Sequence, residues 1–323
     1  MAIRADELID RRRLRRKLTF WRAAALLLAA IAIGVFGYWS FGEGVTGQRA
    51  SHIAKVKIEG TIMTDDELID RLERIGKADS VKGVILAINS PGGTTAGGEA
   101  IYEAVRKLAA KKPVTAQVGT LAASAGYMIA SATDHIVARQ SSIVGSIGVL
   151  VQFPDVTGLM DKIGVKMEFV KSSPLKAEPN PFTPTTEEER AMLRSMIMDS
   201  YDWFVGLVAE RRPLSEAEAR QLADGSIWTG RQALDRKLVD ALGGEEVAVA
   251  WLEQKGVEAG LDVVEWKARR SRSSLLFPAA LDGLAEALGL SSEGDLLRRI
   301  GADRIFLDGL VSLWQPARGA SGE

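Results

Sequence analysis

Between Val84 and Ile88 the sequence VILAI is apolar at every position, closed by Asn89 and the turn residues SPGG. A strand with one wet face alternates polar and apolar residues. A short run without alternation is buried on both faces, which calls for a parallel sheet covered by helices on either side. Neighbouring segments agree. In HIAKVKIEG, Ala54, Val56 and Ile58 alternate with Lys55, Lys57 and Glu59, the period of a half-buried strand, and KPVTAQVG, DHIVA and KMEFVK read as further strands. Between them, DDELIDRLERIG opens on a capping box of Thr64 and Glu67, and Ile101, Val105 and Leu108 share one helical face. Strands alternating with helices predict an α/β fold, a parallel sheet with crossover helices. From Thr185 to about Gly256 the pattern is helical. Capping pairs stand at Thr186/Glu189 and Ser215/Glu218, and glycine stops at Gly225 and Gly243–Gly244.

The ends of the chain differ from this middle. Residues 1–22 carry Arg11, Arg12, Arg13, Arg15, Arg16, Lys17 and Arg22, and residues 23–41 are free of charge. That length matches the ~20 residues a helix needs to cross the hydrocarbon core. The basic flank predicts a cytoplasmic N-terminus, with Trp21, Tyr38 and Trp39 at the interfaces and everything beyond Glu43 across the inner membrane. A cleaved signal peptide is the competing reading, but no small-x-small site follows GYWSFGEG. Residues 42–51 form a polar linker, 52–266 the folded domain, and 267–323 a tail that opens on the basic break ARRSRSS. Its apolar clusters, LLFPAALDGLAEALGL and IFLDGLVSLW, predict short amphipathic helices docked on the protein, near or over its active site, or on the membrane.

Composition limits the chemistry. Lys+Arg 41 against Asp+Glu 42 gives no global field to draw nucleic acid. With Cys 0, thiolate nucleophiles, cysteine metal sites and disulfides are excluded. With His 2, only His52 and His135 can serve as imidazole bases.

Two stretches carry candidate chemistry. NSPGG, Asn89–Gly93, follows the buried strand, and its paired glycines suit either a tight turn or exposed N–H groups that receive an oxyanion. In GTLAASAGYMIAS, Ser124 stands among small residues near a predicted helix N-terminus, where negative charge is favoured. It reads as a nucleophile or as close helix–sheet packing. Ala122 departs from the GxSxG elbow. Adjacent strand residues point to opposite faces, so Asp134 and His135 do not form a relay, and His52 lies beside the linker. A serine nucleophile then needs lysine or a carboxylate. The loop VKSSPLKAEPNPFTPTTEEE offers Lys171 and Lys176, and either would have to be buried to lose its proton from a reference pKa of about 10.4.

Taken in order, NSPGG, AASAGYMIASATDHIVA, SIVGSIGVL, VKSSPLKAEPNPF and DGSIWTGRQALDRKLVDALGG resemble the signal peptide peptidase A family. These are membrane-anchored serine peptidases with the fold of Clp protease and the crotonases. The resemblance implies Ser124 as nucleophile, Lys176 as general base, and the N–H groups of Gly93 and Ala125 as the oxyanion hole. Ala125 replaces the first of the two glycines usual after the serine. The resemblance also implies apolar peptide substrates such as cleaved signal peptides, no metal, nucleotide or other cofactor, and a dome-shaped octamer whose sites are shared between subunits. Rival classes are a crotonase-type acyl-CoA hydratase or thioesterase and a non-catalytic membrane scaffold.

Overall fold

The computed structural model describes residues 21–22, 24–31, 50–268 and 311–313. Two compact units are present, Met1–His52 and Ile53–Glu323. In the first, residues 24–31 are helical, with Leu26, Leu27, Leu28 and Ile31 exposed. The rest of the predicted span 23–41 lies outside the described residues. Among those described, no helix is long and apolar enough to cross a membrane.

The second unit is built on a mostly parallel sheet. Its strands are β1 (His52–Ile62), β2 (Val81–Thr94), β3 (Val114–Ala123), β4 (His135–Ala138), β5 (Ile143–Gly145), β6 (Ile227–Thr229), β7 (Ala241–Leu242), β8 (Val263–Glu265) and β9 (Val311–Leu313). The main path runs β6-β5-β3-β2-β1-β8. β3 forks: Thr115–Val118 pair with β4 and Leu121–Ala123 pair with β5, both parallel. Only β5–β6 and β2–β9 are antiparallel among the strand pairs described.

The fully apolar run of β2 has the cause inferred for it. Val84, Leu86 and Ile88 enter one core with residues of α1 (Asp66–Lys77), α2 (Thr95–Ala109) and α3 (Ala125–Ser131). Ile85 faces the other way, into a core with Ile53, Val137, Ala248 and Leu252, the last two from the helix Glu245–Gln254. Each side chain of this size contributes about 1.5–3 kcal/mol by leaving water. Continuing in chain order, α4 is Thr157–Ile163, α5 Glu187–Arg211, α6 Glu216–Leu222, α7 Gly230–Asp235 and α8 the helix Glu245–Gln254.

Local signals held at some ends and failed at others. The capping boxes Thr186/Glu189 and Ser215/Glu218 are both present. α1 is instead capped one residue later than predicted, by Asp65, whose carboxylate accepts from the Leu68 N–H at 2.9 Å; Asp outranks Thr as an N-cap. Gly243–Gly244 do not stop a helix: they follow β7, and Gly244 is the N-cap of α8. KMEFVK is not a strand. Val165, Met167 and Phe169 do alternate, but each is more than 40% exposed, so the period has no sheet to join within this chain. In the tail, 311–313 is a strand where short helices were predicted.

One buried polar cluster ties β4 to α5 and α7. Arg212 forks onto Asp240 at 2.7 and 2.9 Å and donates to the Lys237 carbonyl at 2.8 Å, while Tyr127 Oη donates to the Leu238 carbonyl at 2.8 Å. His135 stacks on Trp251 with ring centroids 4.9 Å apart, and its Nδ1 lies 3.7 Å from Asp240. Burial pushes the His135 pKa below the ordinary histidine value, against the opposing pull of Asp240. The unfolded chain therefore holds more protons than the folded one as pH falls through this range, and stability falls with pH. This contribution is complete above the unfolded value of about 6.5 and is lost on acidification through the folded value. Replacing His135 with Phe, which keeps a ring on Trp251, should flatten the loss of urea midpoint between pH 7 and pH 5. An unchanged slope would rule out His135 as its source.

Candidate active site

Ser124 sits between the end of β3 and the start of α3, at φ 56° and ψ −121°. A positive φ on a non-glycine residue is strained by on the order of 1–3 kcal/mol, and it persists only where the surroundings dictate it. They do so here. Ser124 N–H donates to the Gly145 carbonyl at 2.8 Å, and its own carbonyl accepts from Met128 N–H at 2.9 Å. The serine thus occupies a sharp strand-to-helix turn of the kind that presents hydrolase nucleophiles, although GxSxG is absent. Its side chain is 1% exposed in the full chain.

The small residues around it are required by distance. A Cβ on Gly126 would lie 2.9 Å from the Ser90 carbonyl oxygen, and one on Gly98 would lie 3.0 Å from the Ala125 Cβ. Through these contacts the NSPGG turn, the N-terminal turn of α2 and the start of α3 pack together. The turn itself is held by Ser90, which is buried. Its hydroxyl donates to the Gly60 carbonyl at 2.7 Å and accepts from the Gly92 N–H at 3.1 Å. Ser90 stands opposite Ala122 on β3, just past an irregularity in the β2–β3 register. Gly92 has φ +105°, and a Cβ on Gly93 would fall 1.8 Å from the Ile62 carbonyl oxygen, so no other residue fits there. Gly93 and Ala125 are both buried beside this junction.

Two more sequence motifs meet behind the serine. Gly145, which accepts from Ser124, closes against the ring of Trp228, and β5 pairs with β6 there. SIVGSIGVL and DGSIWTG therefore buttress one another and the Ser124 turn.

The lysines are separated from this junction. Lys176 is exposed and shares no hydrogen bond with Ser124; its backbone N–H donates to the Ser173 carbonyl at 3.2 Å. Lys171 pairs with the buried carboxylate of Glu178, which also accepts from Asn180 at 2.7 Å, and its ammonium lies 4.8 Å above the Phe169 ring. Lys176 makes no ion pair among the described residues. Neither histidine offers a relay. His135 belongs to the Asp240 cluster, whereas Asp134 accepts from the Val114 N–H at 3.1 Å, so the adjacent pair diverges as strand geometry predicts. His52 Nδ1 lies 2.8 Å from the Ala50 carbonyl oxygen. Among the described residues no group of three or more His, Cys, Asp or Glu gathers that could hold a metal ion.

Sequence reasoning gave no role to Ser90 or Thr95. Ser90 was visible only as a letter of NSPGG. Thr95 is buried, and its hydroxyl has no hydrogen-bond partner in the described structure. It lies one helical turn before Gly98, on the face of α2 that meets Ala125; nothing in a helix-opening threonine signals this.

Comparison with known proteins points to peptidases. The profile of Peptidase family S49 matches residues 106–259, which include Ser124 and Lys176, and that of Clp protease matches residues 50–144. A protein of Methanocaldococcus jannaschii named as a protease is 42% identical over 198 residues, 61% of this chain and 64% of that protein. One of Enterococcus faecium named as a signal peptide peptidase SppA is 32% identical over 241 residues, 70% of this chain and 69% of that one. The chloroplastic serine protease SPPA of Arabidopsis thaliana is 30% identical over 236 residues, 71% of this chain but 34% of that protein. The matched segment thus spans between a third and somewhat over two thirds of these three relatives.

The contact distances predict opposite outcomes for two glycines. Gly126→Ala should destabilise by about 1–3 kcal/mol, the usual cost of overpacking. Gly206→Ala, inside α5 and exposed with nothing within 4 Å of the added methyl, should stabilise by about 0.5–1 kcal/mol. Urea midpoints of the two variants check both signs.

Proposed function

The chain belongs to peptidase family S49, and from that premise we propose that it is a serine endopeptidase in which Ser124 is the nucleophile and Lys176 the general base. The observation that carries this reading is the strained backbone of Ser124 on a strand-to-helix turn, wedged between two glycine contacts. Strain of this kind is kept where it positions a reacting group. The lysine assignment draws support from chemistry and position. Lys171 is committed to Glu178, and the profile of the family runs through Lys176.

In the proposed reaction, neutral Lys176 accepts the Ser124 proton as the hydroxyl oxygen attacks a peptide carbonyl. The N–H groups of Gly93 and Ala125 stabilise the oxyanion, the protonated lysine gives its proton to the leaving amine, and water then hydrolyses the acyl-enzyme. A general base must be neutral to accept a proton, and burial is what favours a neutral amine, so the reaction requires a setting in which Lys176 is covered. We assign that cover to a second copy of the chain. The segment bearing Lys176 also displays Leu159, Ile163, Val165, Met167, Phe169 and Val170 to solvent, an apolar surface beyond what a monomer usually leaves open. A ring in which each arm reaches a neighbour, an octamer by family resemblance, would bury this surface and bring one copy's lysine to another's serine.

Substrates would be extended apolar peptides, including signal-peptide remnants, in keeping with the name of the Enterococcus faecium relative. The basic residues 1–22 and the apolar residues 23–41 support an anchor in the inner membrane, with the peptidase domain 52–266 on the far side.

Cleavage of an apolar fluorogenic peptide tests the assignment. Ser124→Ala and Lys176→Ala should each lower kcat by at least about a thousandfold, and a serine-reactive phosphonate should label the wild type but not Ser124→Ala. Full activity in Lys176→Ala would remove lysine from the mechanism. Co-assembling the two inactive variants should restore part of the activity; no recovery would place the whole site within one chain.

A further inference from the structure

We propose that a pocket on the face of the sheet away from α3 binds short peptides with free termini, taking the ammonium at Glu59 and the carboxylate at Arg139. α8 covers only part of that face, packing on Ile53, Ile85 and Val137. Toward the C-terminal ends of β1, β2 and β3 the sheet opens into a pocket of about 360 Å³. Small-ligand sites run from ~300 to ~1,000 Å³, so the space suits a small molecule.

Its floor is one row of residues across the sheet. Ile88 pairs with Val118 and Val118 with Ala138, so the residues that follow, Asn89, Gly119 and Arg139, stand near one level. The hydrogen bond from Ser90 to the Gly60 carbonyl brings Glu59 to the same level. Ile58, Ile88, Val118 and Ala138 enter the core that holds α3, and alternation turns the next residue of each segment to the other face. All four of those residues line the pocket. Gly119, in the middle of the row, has no side chain to fill it.

The charges at the two ends of the row select the ligand. Lys55 and Lys57 also line the pocket, but each is neutralised in place, by Glu245 and by Glu265. Glu59 and Arg139 have no ion pair among the described residues. Glu246, whose carboxylate senses Arg139, is taken by the Gly244 N–H at 2.9 Å. Three strand spacings separate Glu59 from Arg139, about 14 Å between their backbones. A simple anion would be repelled by Glu59 and a simple cation by Arg139; a molecule with opposite charges at its two ends satisfies both. Extended di- and tripeptides span at most about 7 to 11 Å, and the two side chains cover the remaining distance. The arginine fork matches a terminal carboxylate. Asn89, Thr120 and Ser141, which line the pocket and make no side-chain hydrogen bond among the described residues, can serve the peptide groups between the ends.

Binding here does not rest on the peptidase reading, and a failure of Ser124 to label or cleave leaves it standing. The probe is trialanine, titrated calorimetrically into the full chain. Arg139→Gln and Glu59→Gln should each weaken binding by roughly tenfold or more, the worth of a hydrogen bond to a charged group. Both side chains are exposed, so neither change should move the urea midpoint. Trialanine amide should bind the wild type as weakly as trialanine binds Arg139→Gln, and N-acetyl-trialanine as weakly as trialanine binds Glu59→Gln. No binding to the wild type, or equal binding by free and blocked peptides, would overturn the proposal. So would binding that both variants retain and that phosphonate treatment abolishes, since the peptide would then sit at Ser124.

Discussion

The site depends on one constraint, the close approach of two strand-to-helix junctions. β2 and β3 run side by side and each turns into a helix on the same face of the sheet; their turns can touch only if the touching residues have almost no side chain. Gly126 against Ser90 and Gly98 against Ala125 meet that condition, and Gly93 is held to the same limit by Ile62 at the end of β1. Once these backbones are in contact, the position of Ser124 follows. Its N–H is taken by Gly145, its carbonyl by Met128, and its φ has nowhere else to go. The buried hydroxyl of Ser90 then fixes the glycine turn from beneath.

The two halves of the proposed dyad live in different mechanical settings. Ser124 is held by the sheet, two helices and the β5–β6 pair. Lys176 rides on an arm whose apolar residues face water. A nucleophile must be kept at a fixed angle, and a rigid core does that. A base that must change its protonation needs a change of surroundings, and an arm that another copy covers would supply one. Placing the two groups in one preassembled pocket would instead require the fold to desolvate a lysine at all times.

Much of this was legible in the sequence where the cause is local or repeats along the chain. The doubly buried VILAI run, the caps at Thr186 and Ser215, and the small-residue setting of Ser124 all express contacts made by the residues that show the pattern. KMEFVK misled because alternation reports only that one side is to be covered, and in this chain that side is open. Strands β6 and β7, three and two residues long, are too short to show a period, and they form because β5 and β4 offer them an edge. Ser90 and Thr95 could not be singled out at all. A hydroxyl that ties β1 to the end of β2 looks like any other serine until the two strands are brought together, and the same holds for a tail strand whose partner is more than two hundred residues away.

The backbone angle at residue 124 has a consequence for how such a protein can change. Glycine would adopt φ 56° at little cost, whereas serine is held there by its neighbours. At that position stability and chemistry pull in opposite directions. Drift toward greater thermal robustness would favour losing the hydroxyl, so on the proposed reading only continued demand for the reaction keeps the serine in place.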